Sequence, residues 1–126
     1  MDERAEEWFA QAEYDLDTAR YRLRGGRRFY AVFMAHLSLE KALKGRWQAT
    51  FGSPPPKTHN LLYLADKVGL QMQEGTSDLL TALNDASVAT RYPGDLKQII
   101  EAFPQAEAQS ILAKAQETLA WIKAQR

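Results

Sequence analysis

The sequence predicts an all-α protein: one domain over residues 1–126, built as an antiparallel, up-and-down bundle of four to five helices. Three observations carry that expectation. Apolar residues recur every three to four positions through most of the chain. Glycine and proline clusters cut it into helix-sized pieces with short connections. No alternating β-branched run offers a strand. A chain of 126 residues is long enough for a real core, since that size buries roughly two-thirds of its unfolded surface.

The breaks fall at Gly25-Gly26, Gly52 to Pro56, Gly69, Gly75, Pro93-Gly94 and Pro104. Before the first, Trp8, Ala12, Leu16, Ala19 and Leu23 form one apolar stripe, predicting a helix over about 3–24. A second helix runs from about Arg28 to Phe51. A third follows Thr58, a plausible N-cap, carries Leu61, Leu64, Ala65 and Val68, and stops at Gly69. A fourth carries Leu79, Leu83, Ala86 and Thr90 and is cut by Pro93. The fifth opens with Pro104 at its first position and repeats Ala108, Ile111, Leu112, Ala115, Leu119 and Ile122.

The second helix is apolar on two faces. Phe29, Val32, Phe33, Leu39, Leu43, Trp47 and Phe51 share one sector, with His36 and Glu40 in its middle and Lys44 at its edge. Nearly opposite lies a row of small residues: Ala31, Ala35, Ser38, Ala42, Gly45 and Ala49. Such a helix is central, and the small row admits a close neighbour. That neighbour is either another helix of this chain or a second copy.

Composition excludes several classes. Sixteen basic and sixteen acidic residues cancel, so net charge argues for neither nucleic acid nor an anionic membrane. There is no cysteine, which removes disulfides and thiolate metal sites and fits a reducing cytoplasm. The acidic opening MDERAEEWF is not expected to be a signal peptide, and no apolar run in the sequence is long enough to span a bilayer as a helix. A cytoplasmic protein without membrane, metal or cofactor is expected.

Four stretches carry candidate chemistry. His36 and Glu40, one turn apart, can hydrogen-bond along the helix. No nucleophile or further metal ligand stands beside them, so they are expected to be a structural polar pair, with Glu40 also turning to an arginine or lysine of another helix. The run Arg20, Arg22, Arg24, Arg27, Arg28 reads as a solvated corner at a helix C-terminus, or as a grip on phosphates. In PPPKTHNLLYL, Lys57 and His59 flank a helix start that either receives an anion or is simply capped. In TRYPGD, a type II turn follows Arg91, which either bonds nearby carbonyls and carboxylates or lines a cleft as an anion ligand.

Together these pieces resemble the HEPN family (higher eukaryotes and prokaryotes nucleotide-binding). Trp8, Ala12, Asp15, Leu16 and Ala19 are similar to its first-helix pattern W-x3-A-x2-DL-x2-A. Ala35, Glu40, Lys41, Ala42, Leu43 and Lys44 are similar to its AxxxxxEKALK signature, although His36 and Leu37 stand where many members have glutamine nearby. THNLLYL, TRYPGD and the terminal LAWI fit as well, TRYPGD with a glycine inserted. The resemblance implies a bundle, usually dimeric, often acting beside a minimal nucleotidyltransferase. Many relatives are ribonucleases and some are toxins of two-component systems. Those enzymes carry arginine, four to six residues, then histidine. This chain lacks that spacing: Arg28 and His36 are separated by seven residues, Arg46 and His59 by twelve. The expectation is therefore a non-catalytic, homodimeric binding module for a nucleotide, RNA or nucleotidyltransferase partner, with Lys57, His59 and Arg91 as anion contacts. The alternative is a metal-independent endoribonuclease with His59 or His36 as acid/base and Arg91 on the phosphate. A purely structural interaction bundle is the third reading.

Overall fold

The computed structural model describes residues 2–89 and 96–125. Among these described residues there are six helices: α1 (Glu3–Arg24), α2 (Arg28–Phe51), α3 (Leu61–Lys67), α4 (Glu74–Ala89), α5 (Leu96–Ala102) and α6 (Gln105–Ala124). The all-α expectation holds, with one helix more than the upper estimate. No described helix is long and apolar enough to cross a membrane.

Helices α1 and α2 form an antiparallel hairpin. Asp2 caps α1 by accepting from the Arg4 N–H at 2.8 Å, and the chain reverses through Gly26, whose φ of 80° favours a residue without Cβ. Along the hairpin, the small row of α2 lies against α1. Ala31, Ala35 and Ala42 are completely buried. The Ser38 hydroxyl donates to the Ala12 carbonyl at 2.7 Å. A Cβ added to Gly45 would come within 3.1 Å of the Phe9 ring and 3.2 Å of the Trp8 Cβ, so any larger residue there would force these α1 side chains to shift. The small row thus belongs to a neighbour in the same chain, except at Ala49, which is exposed. An ion pair of 2.7 Å between Lys41 and the buried Asp15 fixes the seam further.

The opposite side of α2 supplies Phe29, Val32, Leu39 and Leu43 to a core shared with Leu61 and Leu64 of α3, Leu80 and Leu83 of α4, and Ile111, Leu119 and Ile122 of α6. Not all of the predicted apolar sector goes inside. Phe33 and Trp47 are only partly buried, and Phe51 is exposed, resting edge-on against Trp47 at 4.8 Å. On α1, Phe9 occupies the core position that periodicity assigns to Trp8.

Three boundaries differ from expectation. The N-cap of α3 is Asn60, not Thr58: the Asn60 Oδ1 accepts from the Tyr63 N–H at 3.2 Å, while the Thr58 hydroxyl accepts from the Asn60 N–H one step upstream. Gly75 lies inside the first turn of α4, where a helix end is still forming, and does not break it. Pro104 is the N-cap of α6, one place before its first helical residue. Helix α5 is additional, a short piece between two prolines. Arg28 holds its C-terminal end, donating to the Ile100 carbonyl at 3.4 Å and to the carbonyl of Phe103, just past the helix, at 2.8 Å.

Candidate functional site

His36, Glu40 and Lys44 are spaced four residues apart, so α2 stacks them in one stripe. All three are buried, Glu40 to 5% exposure. What covers them is the chain leaving α2. Gly52 closes the helix in left-handed geometry, its N–H donating to the Gln48 carbonyl. The segment through Pro54, Pro55 and Pro56 then returns, laying His59 over the stripe.

Glu40 is the hub. Its Oε1 accepts from His59 Nδ1–H at 2.8 Å, and its Oε2 accepts from Lys44 Nζ at 3.1 Å. Lys44 also sits 5.8 Å over the Trp8 ring, a favourable place for a cation leaving water. A buried carboxylate is tolerable only when paired and hydrogen-bonded, and Glu40 has a partner on each oxygen.

His36 plays a different part from the one expected. Its Nδ1 stands 3.9 Å from Glu40 Oε1, beyond hydrogen-bond range, and finds no hydrogen-bond partner among the described residues. Its bond runs from Nε2–H to the His59 carbonyl at 2.9 Å. A carbonyl only accepts, so Nε2 carries the proton. Burial pushes the His36 pKa below its ordinary value of 6.5, outweighing the opposing pull of Glu40, of the His59 carbonyl and of the Asn84 side chain. His36 is therefore a neutral strut beneath His59, and the direct His36–Glu40 hydrogen bond gives way to two separate holds on one residue.

His59 is half exposed, at 51% of its side chain. Its Nδ1 faces inward to Glu40, which leaves Nε2 at the outer edge with no hydrogen bond among the described residues. The ring opens on a cleft of about 410 Å³ lined by Lys57, Thr58, His59, Asn60, Asn84, Ser87 and Val88. Lys57 is exposed at its rim. Asn84 pins the far wall: its Oδ1 accepts from the Leu61 N–H at 3.0 Å and its Nδ2 donates to Asn60 Oδ1 at 3.0 Å.

Side-chain acceptors therefore already occupy three N–H groups around the start of α3, those of Asn60, Leu61 and Tyr63. An anion in the cleft would have to be held by side chains. The structure brings His36, Glu40 and His59 into one cluster and sets Lys57 on the same cleft. Arg91 lies outside the described residues. Sequence reasoning misses Lys44 and Asn84 as members. Lys44 has a signal, its spacing of four from Glu40; Asn84 has none, because its role depends on where α4 packs.

Chemically, Glu40 fixes His59 as the Nδ1–H tautomer, so Nε2 points outward as an acceptor in the neutral ring and a donor in the charged one. That is the requirement for exchanging a proton with a hydroxyl or for bonding a phosphate oxygen. No group of three His, Asp or Glu among the described residues is arranged to hold a metal ion.

Among the described residues, the chain is thus a bundle of six helices with a buried carboxylate beneath a half-exposed histidine at a cleft. The chain belongs to the HEPN domain family, whose family model matches residues 5–125. Among solved structures, it is similar to TT1696 from Thermus thermophilus, at 26% identity and a TM-score of 0.81, over 97% of this chain and 98% of that one. It is also similar to ST0689, an archaeal HEPN homologue, at 26% identity and a TM-score of 0.67, over 98% of each chain. No functionally curated protein matches the sequence.

Proposed function

We propose that this protein is a HEPN-family binding module that takes a phosphate-bearing ligand, a nucleotide or RNA, into the cleft beside His59. The single observation that carries this reading is the 2.8 Å bond from the half-exposed His59 to the buried Glu40. A loop needs no buried carboxylate to stay in place, and Lys44 already balances that charge. Orienting an imidazole edge toward a cleft is what the arrangement adds. Lys57 brings a flexible cation to the same rim, and Asn84 brings an amide.

In this reading the protein works as a homodimer beside a minimal nucleotidyltransferase, in a two-component, toxin–antitoxin-like arrangement. Because α1 covers most of the small-residue row of α2, the dimer seam uses another surface. Sedimentation at micromolar concentration is expected to give the dimer mass; a monomer throughout removes this part.

The binding test is a gel shift with mixed RNA in EDTA. A salt-sensitive shift weakened by His59→Ala and by Lys57→Ala is expected. Equal shifts for wild type and both variants would overturn the reading.

One second reading is favoured by the same Glu40–His59 bond: metal-independent RNA cleavage, with His59 Nε2 taking the proton of a ribose 2′-hydroxyl. It needs a cation at the phosphate, for which Arg91 is the sequence candidate. RNA turnover in EDTA that disappears in both His59→Ala and Arg91→Ala would promote it above binding alone.

A further inference from the structure

We infer that the corner where α1 turns into α2 is a second contact for single-stranded RNA, with a slot for one base and arginines for the flanking phosphates. This inference rests on the RNA reading of the His59 cleft and extends it along α2.

The five arginines around Gly25-Gly26 are not equivalent. Arg28 is committed to the carbonyls of Ile100 and Phe103. Arg20 reaches Asp17 at 4.0 Å. Arg22, Arg24 and Arg27 are exposed and have no acidic partner among the described residues, although the chain carries as many acids as bases. Helix-dipole favour accounts for Arg22 and Arg24 in the last turn of α1. It accounts for nothing else at this corner.

What remains is aromatic. Tyr21 is 71% exposed and Tyr30 is 50% exposed. Arg24 lies 5.7 Å over the Tyr21 ring. Arg22, Tyr30, Phe33 and Met34 line an almost wholly apolar slot of about 210 Å³. A slot that small admits one planar ring and not a helix face. Aromatic walls with guanidinium groups at the rim are the two elements of sequence-tolerant single-strand binding: stacking for the base, ionic contact for the backbone. With net charge zero, this local cluster must do what the protein's overall field does not.

The position suits one continuous ligand. Tyr30 and Glu40 are ten residues apart on α2, which sets the slot about 15 Å along the helix axis and about 80° around it from the residue that holds His59. A short oligonucleotide spans that distance.

The test is fluorescence anisotropy with a labelled uridine oligomer, comparing wild type with Tyr30→Ala, the double variant Arg22→Ala/Arg27→Ala, and His59→Ala. Tyr30, Arg22 and Arg27 are at least half exposed or on the surface, so their variants should melt as wild type does. His59→Ala takes a partner from buried Glu40 and is measured at a temperature where circular dichroism shows it folded. Tyr30→Ala is expected to weaken binding about tenfold. The double arginine variant should lower the salt slope by roughly 1.4, the value for two single-strand phosphate contacts. A 4-thiouridine oligomer should cross-link to the Tyr30 peptide. If wild type binds and only His59→Ala weakens it, the corner is overturned while the cleft reading stands. If the arginine variant loses affinity, Tyr30→Ala does not, and inorganic polyphosphate competes equally, the corner is only an ionic patch and the inference fails. If wild type neither binds nor cross-links, the underlying RNA reading falls and takes this one with it.

Discussion

Two stripes of the same helix can be set side by side. On α2, Ala31, Ala35, Ser38, Ala42 and Gly45 face α1, while His36, Glu40 and Lys44 face the returning loop. Both are buried and both repeat at one-turn spacing. The first is small and dry, with a single polar bond to the Ala12 carbonyl. The second places two ionised groups and an imidazole out of water. Close packing explains the first completely. The second is an expensive way to cover a helix, since well-packed apolar residues serve as well or better. Packing accounts for the first stripe, whereas the second commits buried polar groups to holding His59 at the cleft, a cost that the proposed binding role would explain.

The largest expected effect comes from breaking the polar stripe on one side only. Glu40→Ala leaves the Lys44 ammonium buried without its carboxylate and should cost about 3 kcal/mol in urea unfolding. The sharper form of the experiment is the double change Glu40→Gln/Lys44→Met. It removes both charges and should recover most of that loss, yet His59 is no longer held by a carboxylate and ligand binding should still fall. Recovery of stability together with full binding would mean that the stripe is only a plug.

Ala42→Leu attacks the other stripe. Inserting a branched side chain at a completely buried position of this seam should cost about 1–3 kcal/mol and leave the affinity of the folded protein unchanged. Ala49→Leu is the control on the same row. Ala49 is exposed, so its substitution should stay within about 0.5 kcal/mol. Equal losses at the two positions would show that the row is not a tight seam at all.

This contrast also explains what is legible in the sequence. The small row is a local pattern, and glycines mark both ends of α2, so the bounds of α1 and α2 follow from spacing and turn chemistry. The start of α3 reads two residues early because Thr58 and Asn60 are both good capping residues, and only packing against Asn84 of α4 decides between them. Helix α5 escapes notice because a helix of seven residues carries too little periodicity. At the site, His36, Glu40, Lys57 and His59 all stand out, but spacing pairs Glu40 with His36. The true partner, His59, lies beyond a triple-proline loop, and no helical period predicts where such a loop returns.

A smaller effect is expected at the far wall of the cleft. Asn84→Ala removes the acceptor for the Leu61 N–H and the donor to Asn60. It should cost about 1–2 kcal/mol and should loosen the loop that carries His59. Amide exchange would show this as faster exchange at Leu61 and Tyr63 than in wild type. Unchanged protection at both would argue that Asn84 merely lines the cleft.

The smallest effect at neutral pH belongs to His36, and it separates the strut from the contact residue above it. Burial holds the His36 pKa below 6.5 in the folded protein, while the unfolded chain takes up the proton near that value. Below about pH 6.5 the unfolded state therefore binds more protons at this residue, and stability falls as the solution is acidified. Above that pH the full contribution is present. The slope from one residue cannot exceed about 1.4 kcal/mol per pH unit. His36→Gln keeps an N–H for the His59 carbonyl and does not titrate, so its stability should fall less steeply than that of wild type between about pH 6.5 and pH 5. Denaturant midpoints at several pH values measure the difference. Parallel curves for the two proteins would show that His36 takes up its proton alike in both states, and the picture of a neutral strut beneath His59 would have to be abandoned.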